Sequence, residues 1–197
     1  MNGTANNDRR TAARRTWSLL DTVTVATVGV ACGVLFAGWN LLWGAVSPLF
    51  AALLPLQYLL FAGTWVIAGP LAGLVVRRPG AALAGEVVAA SVSFLLASQW
   101  SVDALFSGAA QGLGAELALL AFGYRRFGVG VALLAGALSG VGMALHDLPL
   151  YFAGVDAAFA QALAAAMIAS SALVGGLGAH LIERGLRRSG ALPPVAA

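Results

Sequence analysis

Two carboxylates stand where a long apolar sequence leaves them without water: Glu86 and Glu116. Each lies roughly 12–14 Å of helix rise from the nearest arginine pair. A charge at the centre of a bilayer costs on the order of 2.5–3.5 kcal/mol on insertion scales, so such groups face the protein interior or a wet cavity. Their chemistry there is either to accept hydrogen bonds from a ligand's amino or ring N–H groups, to offset a cation, or to tie neighbouring helices together. Ser107, Gln111 and Glu116 share one stretch with Gly108, Gly112 and Gly114, and glycines let a backbone or a ligand approach closely. Asp147 offers a further counter-charge, with His146 beside it as an interfacial side chain. Trp39, Trp43, Tyr58, Trp100 and Tyr151 gather towards the same side as Asp147, with Asn40 among them. They read either as an interfacial aromatic belt or as a stacking box for a flat or cationic ligand. Trp65 lies deeper, within an apolar stretch, and fits a belt less well.

The elements that must position these residues are membrane helices. Apolar residues make up 60% of the 197-residue chain, charged residues only 10%, and mean hydropathy is +0.88. A water-soluble domain carries about 25% charged residues. A span needs about 20 mainly apolar residues, and six candidates follow: Thr22 to Trp43, Leu56 to Val76, Gly80 to Ala97, Ala104 to Tyr124, Gly128 to Leu148 and Ala157 to Ile182. Pro48 and Pro55, Pro79-Gly80, Gln99 to Asp103, Arg125-Arg126 and Pro149 to Asp156 separate them, and Pro70 predicts a kink inside the second. The expected fold is therefore an all-α integral membrane protein with six transmembrane helices. A polar basic N-terminal tail occupies residues 1–18, the membrane domain 19–188, and a short C-terminal tail 189–197. The first apolar stretch is too long for a cleaved signal peptide and reads as a permanent span.

All eleven basic residues are arginines. Six spans put Arg9, Arg10, Arg14, Arg15, Arg77, Arg78, Arg125, Arg126, Arg184, Arg187 and Arg188 on one side, against Asp103, His146, Asp147 and Asp156 on the other. Arginine excess marks the cytoplasmic side, so both termini are expected in the cytoplasm. The basic balance is a topology signal and not a nucleic-acid patch. Without lysine there is no phosphate-binding G-x-x-x-x-G-K-[ST] loop, and the chain is not a conventional ATPase by itself. No H-E-x-x-H or C-x-x-C motif is present, no metal site or cofactor is expected, and Cys32 has no second cysteine to pair with. Gly29, Gly33 and Ala37 make a small-residue stripe on the first span, suited to close helix contact inside the protein or with a partner.

The segments Arg77-Arg-Pro-Gly-Ala-Ala-Leu-Ala-Gly-Glu86 and Gln111-Gly-Leu-Gly-Ala-Glu116 resemble the signature segments of the YkoE family, substrate-binding S components of energy-coupling factor transporters. The resemblance covers roughly residues 20–188, the region around Asp147 included. It implies a non-enzymatic, multi-pass subunit of the cell membrane that binds thiamine or its hydroxymethylpyrimidine precursor from outside. It also implies uptake driven by a transmembrane T component and two ATPase domains, with Gly29, Gly33 and Ala37 as the T-component contact. Thiamine carries a cationic thiazolium and a flat aminopyrimidine, which call for carboxylate, amide and aromatic partners. Glu86, Gln111, Glu116, Asp147, Trp39, Asn40, Trp65, Tyr58 and Tyr151 are the candidate ligand contacts. In that arrangement Glu116 and Gln111 hold the pyrimidine, Asp147 or Glu86 offsets the cation, and Trp39 or Trp65 stacks. The competing readings are a solo ion-coupled transporter, a structural membrane subunit whose glutamates only join helices, and, with least support, a membrane enzyme using the two glutamates as an acid–base pair.

Overall fold

A computed structural model describes residues 17–96 and 99–192. Most of the N-terminal tail and the end of the C-terminal tail lie outside the described residues. Helix α1 spans Leu19–Val46 and opens on a capping box in which Ser18 Oγ accepts from Asp21 N at 3.1 Å and Ser18 N donates to the Asp21 carboxylate at 2.8 Å. A 3₁₀ turn, Ser47–Phe50, leads to α2 (Leu54–Phe61), a second 3₁₀ turn (Ala62–Val66) and α3 (Ala68–Val76). Then come α4 (Ala81–Leu95), α5 (Asp103–Ala121) and α6 (Val129–Tyr151). Helix α7 (Ala157–Ser170), capped by the Asp156 side chain, passes through a π segment (Ser171–Leu177) into α8 (Gly178–Arg188).

The described chain is helical between its turns, and five helical segments are long and apolar enough to cross a membrane: Leu19–Phe50, Leu54–Val76, Asp103–Ala121, Val129–Tyr151 and Ala157–Arg188. Large apolar side chains such as Leu41, Leu95, Leu145 and Leu181 lie exposed on their outer faces, as expected where the solvent is lipid. The third expected span is shorter than the sequence suggests. Helix α4 has 15 residues, about 22 Å of rise against a hydrocarbon core of about 30 Å. Gly80, at φ +87°, starts it abruptly.

The second segment also differs from the expected kink at Pro70. It is interrupted over residues 62–67, ahead of the proline, and Pro70 is the third residue of α3. Proline has no N–H for the carbonyl four residues back and its ring crowds that carbonyl, so a continuous helix cannot be built through Val66. In the first turn of a new helix the missing N–H costs nothing.

Helix α3 is the centre of the molecule. Every residue from Ala68 to Leu74 is buried, and α1, α4, α5, α6 and α8 all pack on it. The interruption before α3 faces the π segment, where Gly63 N donates to Ser170 Oγ at 2.8 Å and a Cβ on Gly63 would stand 2.2 Å from the Ser170 carbonyl oxygen. Irregular backbone at membrane depth is tolerated where protein surrounds it.

The small-residue stripe of α1 is used inside the chain. A Cβ on Gly29 would lie 2.6 Å from Val88 Cγ1, and one on Gly33 2.5 Å from Val92 Cβ, so α4 already occupies that face. Gly29 and Gly33 are buried and Ala37 is half-buried. Of the two uses the stripe allowed, close contact inside the protein is the one seen for Gly29 and Gly33, where α4 packs against α1.

Arginine-bearing segments converge at one end. Arg77, in the left-handed conformation at the end of α3, pairs with Glu183 at 3.1 Å and lies 4.6 Å over the Phe127 ring. Glu183 also pairs with Arg187, and Arg78 reaches Asp21 at 3.4 Å. Glu183 is buried, and removing one partner of a buried pair strands the other charges. Glu183→Ala is expected to destabilise the fold by about 2 kcal/mol, less than a fully buried pair because the arginines stay partly wet. A thermal melt of the detergent-solubilised protein would show it; an unchanged midpoint would mean this cluster holds nothing together.

Candidate functional site: a cavity with a buried carboxylate at its floor

At the end opposite the arginines the helices enclose a cavity of about 620 Å³, counted to its open mouth. Helix α5 supplies one wall through Asp103, Ser107 and Gln111, spaced four apart and therefore on one face. Gln111 Nε2 donates to Ser107 Oγ at 2.8 Å, and Ser107 donates to Asp147 Oδ1 at 3.3 Å. His146 sits behind this row with Nδ1 2.8 Å from Asp147 and Nε2 3.3 Å from Asp103. The Tyr151 hydroxyl donates to the other Asp103 oxygen. The mouth is thus an acidic collar joining the start of α5 to the end of α6.

Glu86 forms the floor. It is 1% exposed, and it gets there because α5 carries glycine opposite it: a Cβ on Gly112 would stand 2.8 Å from Glu86 Cβ, and one on Gly108 2.6 Å from Ala90 Cβ. Its Oε2 accepts from Gly69 N at 2.6 Å, in the first turn of α3. The break in the second segment therefore exposes helix N–H groups that a carboxylate can answer. The other oxygen, Oε1, is buried and has no protein partner, and Glu86 lines the cavity.

Aromatic rings form the remaining wall. Trp65, Tyr58, Trp100 and Tyr151 line the cavity, joined through ring contacts of 4.9 Å (Trp43–Trp65), 5.1 Å (Trp43–Tyr58), 6.2 Å (Trp65–Trp100) and 5.6 Å (Trp100–Tyr151). Asn40 fixes the central ring: its Oδ1 accepts from Trp65 Nε1 at 2.9 Å while its Nδ2 donates to Ser93 Oγ at 3.1 Å. Among the described residues no group of three His, Cys, Asp or Glu is placed to hold a metal ion.

Of the residues singled out from sequence, Glu86, Gln111, Asp147, Asn40, Trp65, Tyr58 and Tyr151 line this one cavity. Two do not reach it. Trp39 turns away, donating from Nε1 to the Phe61 carbonyl at 3.0 Å. Glu116 lies towards the arginine end, where it accepts from Gly80 N (2.5 Å), Ala82 N (3.0 Å), Leu83 N (3.2 Å) and the Tyr124 hydroxyl. Glu116 thus caps α4, which has no N-cap side chain of its own. Burial and the adjacent Glu116 carboxylate raise the Tyr124 pKa, so the hydroxyl stays a donor. Glu116→Ala is expected to cost about 2 kcal/mol of stability by orphaning these donors, while ligand affinity of the folded fraction stays at the wild-type value. A titration showing lost affinity at unchanged melting temperature would reverse that assignment. Trp100 and Ser107, noted in the sequence among the aromatic and polar residues, also line it, and the structure adds Phe36, Ser93, Asp103 and Met143. For Asp103 and Ser107 the four-residue spacing to Gln111 was the available signal; nothing local marks Phe36 or Met143.

A family model described as the ABC-type cobalt transport system, permease component, matches residues 20–142. The putative HMP/thiamine permease protein YkoE of Bacillus subtilis (strain 168) is 27% identical over 183 residues, covering 92% of this chain and 90% of that one. The crystal structure of an S-component of an ECF transporter superposes with a TM-score of 0.75 at 24% identity, covering 89% of this chain and 88% of the other. The resemblance carried by the segments ending in Glu86 and Glu116 is thus upheld over nearly the whole chain. The cavity is held by an S-component fold, and the chain belongs to the family of ABC-type cobalt transport system permease components.

Proposed function

We propose that this chain is the substrate-binding S component of an energy-coupling factor importer in the cell membrane, taking hydroxymethylpyrimidine or thiamine into the cavity above Glu86. The observation that carries the reading is the buried Glu86 Oε1, an acceptor without a protein partner in an aromatic-lined cavity. An aminopyrimidine supplies an amino donor for that oxygen and a flat face for Trp65 or Trp100. The HMP/thiamine permease named among the relatives supports the same ligand class. A metal ion as cargo has less support: among the described residues no group of three His, Cys, Asp or Glu is placed to hold one, and Glu86 is the one carboxylate at the floor.

In this reading the protein is not an enzyme. Transport energy comes from a T component and two ATPase domains, since the lysine-free chain has no phosphate-binding loop of its own. Six crossings, with α4 completed by its flanking turns, put both termini in the cytoplasm. The convergence of Arg77, Arg78 and Arg187 at the end away from the cavity supports that orientation. With five tryptophans in the chain, fluorescence of the detergent-purified protein provides the test. Saturable quenching by hydroxymethylpyrimidine or thiamine, and none by an inner-filter-corrected riboflavin control, is the expected result. No response to either from folded protein would remove the vitamin assignment and leave the fold standing.

A further inference from the structure

The cavity has two chemically different ends, and helix α5 measures the distance between them. Glu86 is level with Gly112, whose Cβ would touch it. Asp147 is level with Ser107, at 3.3 Å. Asp103 begins the helix. At 1.5 Å per residue, Asp147 stands about 7 Å and Asp103 about 13 Å above the floor. The titratable groups facing this space are Glu86 from α4, Asp103 from α5, Asp147 and Tyr151 from α6 and Tyr58 from α2, with His146 of α6 behind the collar. No arginine is in the lining. A protonated His146 offsets one of the two collar carboxylates and a neutral one offsets neither, so the mouth is acidic in both states.

We infer that Asp103 and Asp147 form a charge filter at the mouth, selecting ligands that carry a positive charge on a second group and turning away phosphate esters, while Glu86 at the floor reads the amino-heteroaromatic ring common to all of them. The inference rests on the ligand class proposed above and assigns its two halves to separate residues. A like charge brought to an acidic, partly desolvated collar is repelled, and a cation is attracted; arrangement of charge decides which ligands are refused. The free Glu86 oxygen is an independent sign that the same cavity receives a donor-bearing ligand. Thiamine, with an aminopyrimidine at one end and a thiazolium at the other, answers both ends. Hydroxymethylpyrimidine answers the floor alone, and its phosphate ester places an anion at the collar. It follows that any phosphorylated form of the compound inside the cell is made after uptake.

The test is a fluorescence titration of the full chain in detergent with thiamine, hydroxymethylpyrimidine and hydroxymethylpyrimidine phosphate. Wild type is expected to bind thiamine at least about tenfold more tightly than the neutral pyrimidine, and the phosphate ester at least about tenfold more weakly. In the Asp103→Asn/Asp147→Asn double variant both ratios should fall towards one. Asp147→Asn alone should shift both ratios the same way by a smaller factor, which keeps the test open if the double variant does not fold. Glu86→Gln should weaken thiamine and the neutral pyrimidine by the same factor. Unchanged ratios in the collar variants, or a parallel loss of all three ligands, would overturn the filter while leaving the binding function in place. Failure of folded wild type to bind any of the three would overturn the functional reading and the filter together.

Discussion

Glu86→Ala is expected to weaken hydroxymethylpyrimidine binding at least about a hundredfold, near 2.7 kcal/mol. Two losses add up in that number. The ligand's amino group loses its acceptor, Oε1, in a site too buried for bulk water to replace it, and leaving a buried donor unsatisfied costs about 1–3 kcal/mol. The Gly69 N–H loses Oε2 as well, so the first turn of α3 is no longer pinned beneath the ligand. Glu86→Gln separates the two effects. It keeps the volume and one oxygen; with that oxygen on Gly69, the amide N–H₂ faces a ligand that is also a donor, and affinity falls with little change in melting temperature. Quenching titrations of the three proteins, each checked by a thermal melt, decide the matter. Wild-type affinity in Glu86→Ala would place the ligand elsewhere.

Gly114→Leu is expected to have the largest effect on stability, more than about 3 kcal/mol, and to prevent recovery of folded protein. Helices α5 and α6 run antiparallel in backbone contact. A Cβ on Gly114 would lie 2.1 Å from the Leu138 carbonyl oxygen, and four residues away along the same seam a Cβ on Gly142 would lie 2.3 Å from the Ala110 carbonyl oxygen. The obstructing atoms are main chain, so no rotamer change relieves the clash; the helices would have to separate, and the row from Ser107 to Asp147 would separate with them. Gly130→Ala, on α6 where nothing lies within 4 Å, is the control and should be neutral or slightly stabilising through helix propensity. A Gly114→Leu protein that eluted and melted like wild type would show that the seam is looser than these distances.

The membrane class and five of the expected spans were legible without the structure. Hydropathy over about 20 residues and arginine placement between the segments are local sums, and a bilayer responds to such sums. The candidate site was legible in type: amide, carboxylate and aromatic side chains that could not be left to lipid. Most of them do meet in one cavity. Glu86 and Glu116 show what local reading does not contain. They are the same residue at nearly the same distance along the chain from arginines, yet Glu86 keeps an oxygen for the cavity and Glu116 gives both of its oxygens to the start of α4 and to Tyr124. The difference arises from which backbone comes opposite each carboxylate: the interrupted second segment offers Gly69 N–H to one, and the turn at Gly80 offers three N–H groups to the other. The stripe of Gly29 and Gly33 is a similar case, since a small side chain permits a close neighbour without naming it, and that neighbour is α4. The sequence by itself determined that this chain lives in a membrane as helices, because burial in lipid is decided segment by segment. Only the tertiary structure decided which buried carboxylate is free to meet a ligand, because hydrogen-bond satisfaction depends on partners brought together from distant parts of the chain.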